Sequence, residues 1–255
     1  MTVRRTDAVP GASSEASPRP PVLDAPDLSR LRDGEADELA AGEMVEDLQL
    51  AEADLSGADL SAVSLMNCRF SAIFADDTDL TAARLVDCRL ERLSSTYLHS
   101  PRSTWRTVEL TGSRIGAWEL YDTDIESLLI EDCRLGFANL AGTGMSDVLI
   151  RGTRIDELDL SGIEAQRVRF EDCRVGTLRL RGGSLSDVDL RGLEMSVVDG
   201  VDSLAGTTIS GEQLTELAPL MAAHLGLRVE DGREPAPQSA PTRRTGDRTR
   251  GTTDI

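Results

Sequence analysis

The chain has 255 residues, of which 40% are hydrophobic and only 3% aromatic, so a core of mainly aliphatic side chains is expected. Its formal net charge of −18 argues against direct binding to nucleic acid. No apolar run has the length of a signal peptide or a membrane span, so we expect a cytoplasmic protein that does not enter a membrane.

The N-terminal part of the chain divides into two segments. Residues 1–26 are rich in proline, serine, alanine and glycine, a composition that predicts disorder. Residues 27–47 are predicted to form an N-terminal cap over the first turn of the next segment. Its expected apolar contacts are Leu28, Leu31, Leu39, Met44 and Val45.

Residues 48–200 repeat with a period of five, as in the stretch ADLSGADLSA at 53–62. Steps of five from Leu50 to Met195 visit thirty positions, here termed centres, and all but four are large and apolar. Five residues turn an α-helix by about 500° and reverse the face of a strand, so neither element can bury every centre. The chain must therefore turn a corner in each pentapeptide, around a core that includes Leu55, Leu60, Leu65, Phe70, Leu80, Leu85, Leu90, Trp105, Leu110, Trp118, Leu120, Leu140, Leu160, Phe170 and Leu190.

This pattern resembles that of the pentapeptide-repeat family, whose unit is a small residue, Asp or Asn, Leu or Phe, a polar residue and often Gly. Matching units include ADLSG at 53–57, TDLTA at 78–82, ANLAG at 138–142 and VDLRG at 188–192. The resemblance implies an all-β solenoid, a right-handed quadrilateral β-helix with four pentapeptides per coil. Thirty units then predict about 7 to 8 coils.

The largest side chains of the repeat lie near its smallest centres. Ser95 and Ser100 are centres, Trp105 is the next centre, and Trp118 stands two residues before a centre. With four pentapeptides per coil, Trp118 lies one coil above Leu98 and beside Ser100. We predict that the two indoles fill the volume that the serines leave.

The C-terminal part of the chain is expected to close the solenoid. Residues 201–230 are predicted to form a helical cap, because Ser210 and Gln213 have the spacing of a capping box and Leu214 and Leu217 begin an apolar stripe that would pack on the last coil. Pro219 is expected to begin a second helical turn. Residues 231–255 lack apolar periodicity and are predicted to be a disordered tail.

The residues that most often carry chemistry have structural explanations here. Cys68, Cys88, Cys133 and Cys173 all stand two residues before a centre, which predicts buried, reduced thiols. His99 and His224 have no partners at the spacing of a catalytic triad or a metal site. The sequence therefore predicts a protein that is not an enzyme and uses no metal or cofactor.

Positions four pentapeptides apart are expected to stack on the outside of the coils, where two columns are distinctive. Leu129 and Leu149 are apolar residues at outward positions. A neighbouring column, here termed the arginine column, holds Arg114, Arg134, Arg154 and Arg174. These six residues form a candidate partner-binding site, because arginine is enriched in interfaces. Nearby carboxylates, Asp132 and Asp172, are expected to neutralise part of the column. The alternative is a solvated face, which the high frequency of arginine before centres, nine in thirty positions, favours.

Two functions fit these patterns. The first is a non-catalytic scaffold that binds a protein partner through its solenoid surface. The second follows from the resemblance: some family members mimic duplex DNA and bind DNA gyrase or another type II topoisomerase, protecting it from inhibitors. The net charge favours mimicry, but no face of the predicted coil is a clean acidic ladder. Those members dimerise through an aromatic-containing C-terminal helix, whereas this chain has no aromatic residue after Phe170, so both a monomer and a dimer through the C-terminal cap remain open.

Overall fold

The computed structural model describes residues 17–230, which build a parallel β-solenoid with one α-helix at its C-terminal end. Consecutive coils pair at an offset of four pentapeptides, as between Arg114 and Arg134. The predicted solenoid fold is therefore confirmed. Among residues 17–230, no helix has the length and apolar character needed to cross a bilayer.

The strands form two sheets. The 12-stranded sheet contains β1 (Arg32–Asp33), β2 (Met44–Glu46), β3 (Leu48–Ala51), β4 (Ser64–Met66), β5 (Arg69–Ser71), β7 (Arg84–Glu91), β9 (Thr104–Thr111), β11 (Asp124–Glu131), β13 (Gly144–Arg151), β15 (Glu164–Glu171), β17 (Ser184–Asp189) and β19 (Thr207–Thr208). The seven-stranded sheet contains β6 (Thr78–Asp79), β8 (Ser94–His99), β10 (Arg114–Glu119), β12 (Arg134–Asn139), β14 (Arg154–Asp159), β16 (Cys173–Arg179) and β18 (Leu193–Asp199). Two 3₁₀ turns, Ala36–Glu38 and Val201–Ser203, and helix α1 (Gly211–His224) complete the described elements.

The centres line the interior of the coils. All thirty are buried except Leu160, Leu185 and Met195, which are half-buried against the same core. Side chains alternate between the two faces of a strand, so a buried centre also turns the residue two places before it inward and the residue between them outward. This alternation produces the core and the outer columns from one five-residue pattern.

Left-handed backbone makes the corners, but not all four of them. The residue two places after a centre has positive φ at three corners through most coils, for example 52° at Asp87, 53° at Asp132 and 68° at Gly142. Glycine and aspartate tolerate this conformation better than bulky residues do. At the fourth corner only Gly57 and Asp77 adopt it, and from Tyr97 onward the chain there is extended. A left-handed residue therefore marks three of the four corners of most coils.

The solenoid has about nine turns, slightly more than the 7 to 8 predicted. Segments outside the repeat extend the ladder at both ends, because β1 pairs Arg32 with Leu48 and β19 pairs Thr207 with Val188, both at offsets shorter than four pentapeptides. Part of the predicted cap at 27–47 is therefore itself a coil. Its Leu39 and Val45 are buried, whereas Met44 is 66% exposed, because β2 pairs Met44 with the outward Ser64.

The two indoles occupy the place predicted for them. Trp105 and Trp118 are buried, with their ring centroids 5.4 Å apart. Trp118 pairs with Leu98 in the ladder, and its Nε1–H donates to Ser100 Oγ at 2.8 Å. The Nε1–H of Trp105 donates to Ser103 Oγ, also at 2.8 Å. The serines therefore provide both space and hydrogen-bond acceptors for the indoles.

The C-terminal helix caps the last coil largely as expected. Ser210 and Gln213 form the capping box, and the Gln213 side chain also donates to the carbonyls of Leu190 and Leu193, each at 2.7 Å. Leu217 is buried, but Leu214 is 50% exposed, so the prediction that both pack on the coil is wrong for Leu214. Helix α1 is continuous, and Pro219 lies inside it.

The prediction of disorder for residues 1–26 is wrong for 17–26. These residues lie extended along the outside of the solenoid, where side-chain oxygens of three coils accept their backbone N–H groups. Apolar contact provides the second physical reason, because Pro26 is buried and Pro21 and Leu23 are half-buried against the coils. The predictions of disorder for 1–16 and 231–255 fall outside the described residues.

Candidate functional site

The four arginines of the candidate site form a straight column on the seven-stranded sheet. Parallel pairing joins Arg114 to Arg134, Arg134 to Arg154, and Arg154 to Arg174. Each arginine stands between two inward-facing residues, so its side chain points outward, and all four are exposed. Neighbouring strands lie about 4.8 Å apart, which gives the column a rise of about 14 Å.

Only part of this column is neutralised by nearby carboxylates. Arg174 Nε donates to Glu194 at 2.8 Å, and Arg154 Nε lies 3.5 Å from Asp156. Neither Arg114 nor Arg134 makes an ion pair with another group of residues 17–230. Asp132 and Asp172, the carboxylates expected to neutralise the column, instead occupy left-handed corners, with φ of 53° and 52°. The column therefore presents two unpaired guanidinium groups among the described residues.

A strip of glycines runs beside the arginines and was missed in the sequence. Gly116, Gly136 and Gly176 each stand two residues after an arginine of the column. A Cβ at Gly116 would lie only 2.6 Å from the carbonyl oxygen of Thr96 in the neighbouring coil, so a side chain there would be crowded. The bare backbone gives a partner close access to the guanidinium groups. An Arg-x-Gly pattern recurring at the spacing of a coil is the signal that indicates this strip.

Aromatic residues extend the same face. Phe74 occupies the arginine-column position two coils below Arg114 and is 59% exposed. Tyr97 and Phe137, at the extended fourth corner, are half-buried. The ring of Tyr97 packs edge-on against His99, with centroids 4.1 Å apart. Arginine, bare backbone and aromatic rings thus share one side of the solenoid, which is a composition typical of protein interfaces.

The upper end of the arginine column opens into a groove against helix α1. The groove has a volume of about 790 Å³, and its lining combines Arg154, Arg174 and Arg191 with the carboxylates of Glu212 and Glu216. These mixed charges make the groove polar, in contrast to the mainly apolar pockets that hold small organic ligands. We therefore treat it as an extension of the surface along the arginine column.

The two candidate leucines do not join this surface. Leu129 and Leu149 are paired with each other across β11 and β13, on the other sheet from the arginines. Leu129 is half-buried, and Leu149 is only 8% exposed although its position is outward. The structure thus separates the predicted six-residue site into two unrelated surfaces.

The cysteines lie in the core and not on any described surface. All four are free thiols with buried side chains, and Cys173 Sγ–H donates to the carbonyl of Ile150 at 3.2 Å. Burial raises the pKa of the Cys133 thiol to about 11, and it raises the pKa of the Cys173 thiol as well. Among residues 17–230, no three His, Cys, Asp or Glu side chains converge on a point where a metal could bind.

Cys68 and Cys88 form a pair in consecutive coils. Hydrogen bonding between the two thiols lowers the pKa of Cys68 and, together with burial, raises the pKa of Cys88. Both side chains have an exposed fraction of 0%, so a reagent in solution reaches neither. Access therefore limits the reactivity of Cys68, whereas both access and ionisation limit that of the other three.

We expect the native protein to resist thiol reagents. At pH 8 a thiol with a pKa of about 11 is ionised to about one part in a thousand. The reaction of all four cysteines with Ellman's reagent should therefore be at least a hundredfold slower in the folded chain than in the chain unfolded by guanidinium, which serves as the matched control. Rapid release of one or more equivalents of colour from the folded chain would contradict this expectation.

Comparison with known proteins agrees with the repeat pattern. The family model described as pentapeptide repeats (8 copies) matches residues 47–81, and this match confirms the resemblance read from the sequence. No curated protein matches the chain.

Two solved structures illustrate the similarity. Full-length QnrB1, a plasmid-mediated fluoroquinolone resistance protein, is 19% identical, over 76% of this chain and 95% of QnrB1, with a TM-score of 0.32. HetL, a pentapeptide repeat protein involved in heterocyst differentiation regulation from the cyanobacterium Nostoc sp. strain PCC 7120, is 18% identical, over 71% of this chain and 91% of HetL, with a TM-score of 0.34.

Proposed function

We propose that this chain, a solenoid of pentapeptide repeats, is a non-catalytic scaffold that binds a protein partner through the face bearing the arginine column. The observation that carries the proposal is the pair of exposed guanidinium groups at Arg114 and Arg134, aligned by the ladder beside a glycine strip. A rigid scaffold holds such groups at fixed spacing before binding, which lowers the entropy lost on association. The partner surface it fits is acidic, and the expected compartment is the cytoplasm.

Charge reversal within the column tests the proposal. The double substitution Arg134→Glu and Arg154→Glu should reduce capture of the partner from a lysate of the native organism at least tenfold, because like charges across an interface cost several kcal/mol. Quantitative mass spectrometry of proteins retained by the immobilised chain is the measurement.

The matched control is the double substitution Arg84→Glu and Arg106→Glu. It changes the net charge by the same amount, but Arg84 and Arg106 lie on the 12-stranded sheet, about half a coil away. Loss of the same protein from both variants, or from neither, would exclude the arginine column as the binding face.

DNA mimicry of a gyrase substrate is the second candidate, and the net charge of −18 favours it. The arrangement of the described carboxylates argues against mimicry, since many are paired with arginines along the coils, as Glu131 and Glu171 are with Arg151. A supercoiling assay separates the candidates: inhibition or protection of gyrase at micromolar protein supports mimicry, and no effect supports the scaffold with another partner.

A further inference from the structure

The N-terminal segment 17–28, here termed the strap, runs across successive coils on the side away from the arginine column. The Arg19 N–H and side chain bind the carboxylate of Asp187, with Nε at 2.7 Å from Oδ2. The N–H of Val22 donates to Asp147 Oδ1 at 2.9 Å. Further along, the Asp24 N–H donates to Ser127 Oγ at 2.9 Å, and Asp27 lies near the Asp87 carboxyl.

All of these acceptors belong to one corner of the coil. Residues 87, 107, 127, 147, 167 and 187 form a corner column, one residue from each successive coil, and every one has a positive φ between 52° and 58°. The left-handed backbone turns each of these side chains outward at the equivalent position of its coil. The solenoid therefore presents a straight ladder of side chains, spaced by the distance between strands.

Carboxylates and hydroxyls supply most of this ladder. Residues 87, 147 and 187 are aspartates, and 107 and 127 are a threonine and a serine. The remaining member, Arg167, is turned toward Asp147 and donates to both of its carboxylate oxygens at 2.6 Å. This pair holds the Asp147 carboxylate in place, and its Oδ1 still accepts the strap N–H. The corner column is therefore a fixed row of acceptors with a net negative charge.

The spacing of this ladder matches a polyproline-like chain. The strap advances by three residues, from 19 to 22, between Asp187 and Asp147, which lie two coils apart, and by two residues, from 22 to 24, between Asp147 and Ser127, which lie one coil apart. Three residues of polyproline II span about 9.3 Å, and two strand spacings span about 9.6 Å. An extended chain of this type therefore follows the ladder in steps of three residues for two coils or two residues for one coil.

The sequence of the strap fits that register. Its prolines are residues 18, 20, 21 and 26, and none of them stands at a position whose N–H binds the ladder, namely 19, 22 and 24. Proline restricts φ to the extended range while removing an N–H that is not needed there. Pro26 is buried and Leu23 is half-buried, and the outward Leu149 beside Asp147 is only 8% exposed. The surface thus combines polar acceptors with an apolar contact.

The strap is nevertheless an imperfect occupant. Burial, together with the nearby charges of Asp27 and Asp24, raises the pKa of the Asp87 carboxyl. The acidic side chains at this end of the strap are therefore unfavourable neighbours for Asp87. Val22 and Arg19 are largely exposed, and the described polar contacts of the strap with the coils are few. An extended segment with basic or neutral residues in place of Asp24 and Asp27 would complement the ladder better.

We propose that the corner column is a binding surface for extended, proline-containing basic peptide segments, and that the strap is its resident occupant, which a partner segment displaces. This surface is distinct from the arginine column, so the two proposals stand or fall separately.

The test uses the full chain and a labelled peptide with the sequence of residues 17–28 in which both aspartates are replaced by asparagine. Val22→Pro in the chain removes the N–H that binds Asp147 while keeping an extended backbone. Ala25→Pro is the matched control, because the Ala25 N–H makes no described hydrogen bond.

Release of the strap is monitored by hydrogen exchange at the Asp24 amide. Binding of the peptide is measured by fluorescence anisotropy or, at millimolar peptide, by NMR.

The Val22→Pro chain is expected to bind the peptide at least tenfold more tightly than the wild-type chain, because a tethered competitor acts at millimolar effective concentration. The Ala25→Pro chain should bind like the wild type. Adding Ser127→Ala and Asp187→Ala to the Val22→Pro chain should abolish binding while the circular dichroism spectrum is retained. Equal affinity of the wild-type and Val22→Pro chains, or no binding by the latter at millimolar peptide, overturns the proposal.

Discussion

Replacement of Trp118 by alanine is expected to lower the free energy of unfolding by about 3–5 kcal/mol, the range found for large aromatic side chains removed from a core. Trp118 is 1% exposed and lies in the ladder between Leu98 and Ala138. Its neighbours cannot collapse into the cavity, because the strands on either side are fixed by their own pairing. Equilibrium unfolding in urea, followed by circular dichroism, measures the change.

Phe74→Ala is the matched control for this substitution. Phe74 is also aromatic and also on the seven-stranded side, but it is 59% exposed, so its removal should cost no more than about 1 kcal/mol. If Trp118→Ala lowered the free energy of unfolding by no more than Phe74→Ala does, the indole would not stabilise the core. Ser100→Ala should have an intermediate effect, since it leaves the buried Nε1–H without its acceptor.

Substitution of Gly183 by alanine is expected to destabilise the chain by about 3 kcal/mol, through strain and a clash that act together. Its φ is 89°, outside the range that side chains readily adopt, and an added Cβ would lie 2.8 Å from the backbone nitrogen of Ile163 in the coil below. The strand spacing prevents the neighbouring backbone from moving away. The urea midpoint of the variant measures the effect.

The adjacent Gly182 provides the control. Its φ is also positive, at 71°, but nothing lies within 4 Å of the place where its Cβ would be. Gly182→Ala should therefore cost only the conformational strain, about 1 kcal/mol. Equal stability of the two alanine variants would show that the close packing of neighbouring coils does not exclude a side chain at position 183.

The five-residue period predicted the core because inward and outward positions follow directly from it. Leu55 and its successors face inward, and equivalent residues of consecutive coils stack as expected. The period could not predict β1 or β19, since the residues there lack the repeat and join the ladder at shorter offsets. Backbone pairing does not require a particular side-chain pattern, so the ends of a solenoid extend beyond its motif.

The candidate site was predicted less well than the fold. The arginine column was predicted from residues that stand four pentapeptides apart in the sequence. Leu129 and Leu149, which were assigned to the same site, belong to another surface. The ordered strap escaped prediction because proline-rich composition is typical of disordered segments, and its contacts are with corner side chains that are distant in the sequence. No local pattern shows that a ladder of corner side chains matches the period of an extended chain.

The extended fourth corner has a consequence for how such a surface diversifies. At the other three corners left-handed backbone disfavours bulky side chains, although Arg92 and Thr107 stand there, whereas the extended edge from Tyr97 to Val197 imposes no such restriction and also holds Ala, Phe, Glu and Thr. Substitutions along this edge do not strain the chain, and they lie beside the arginine column. New recognition properties can therefore evolve one coil at a time on this edge while the constrained corners preserve the architecture.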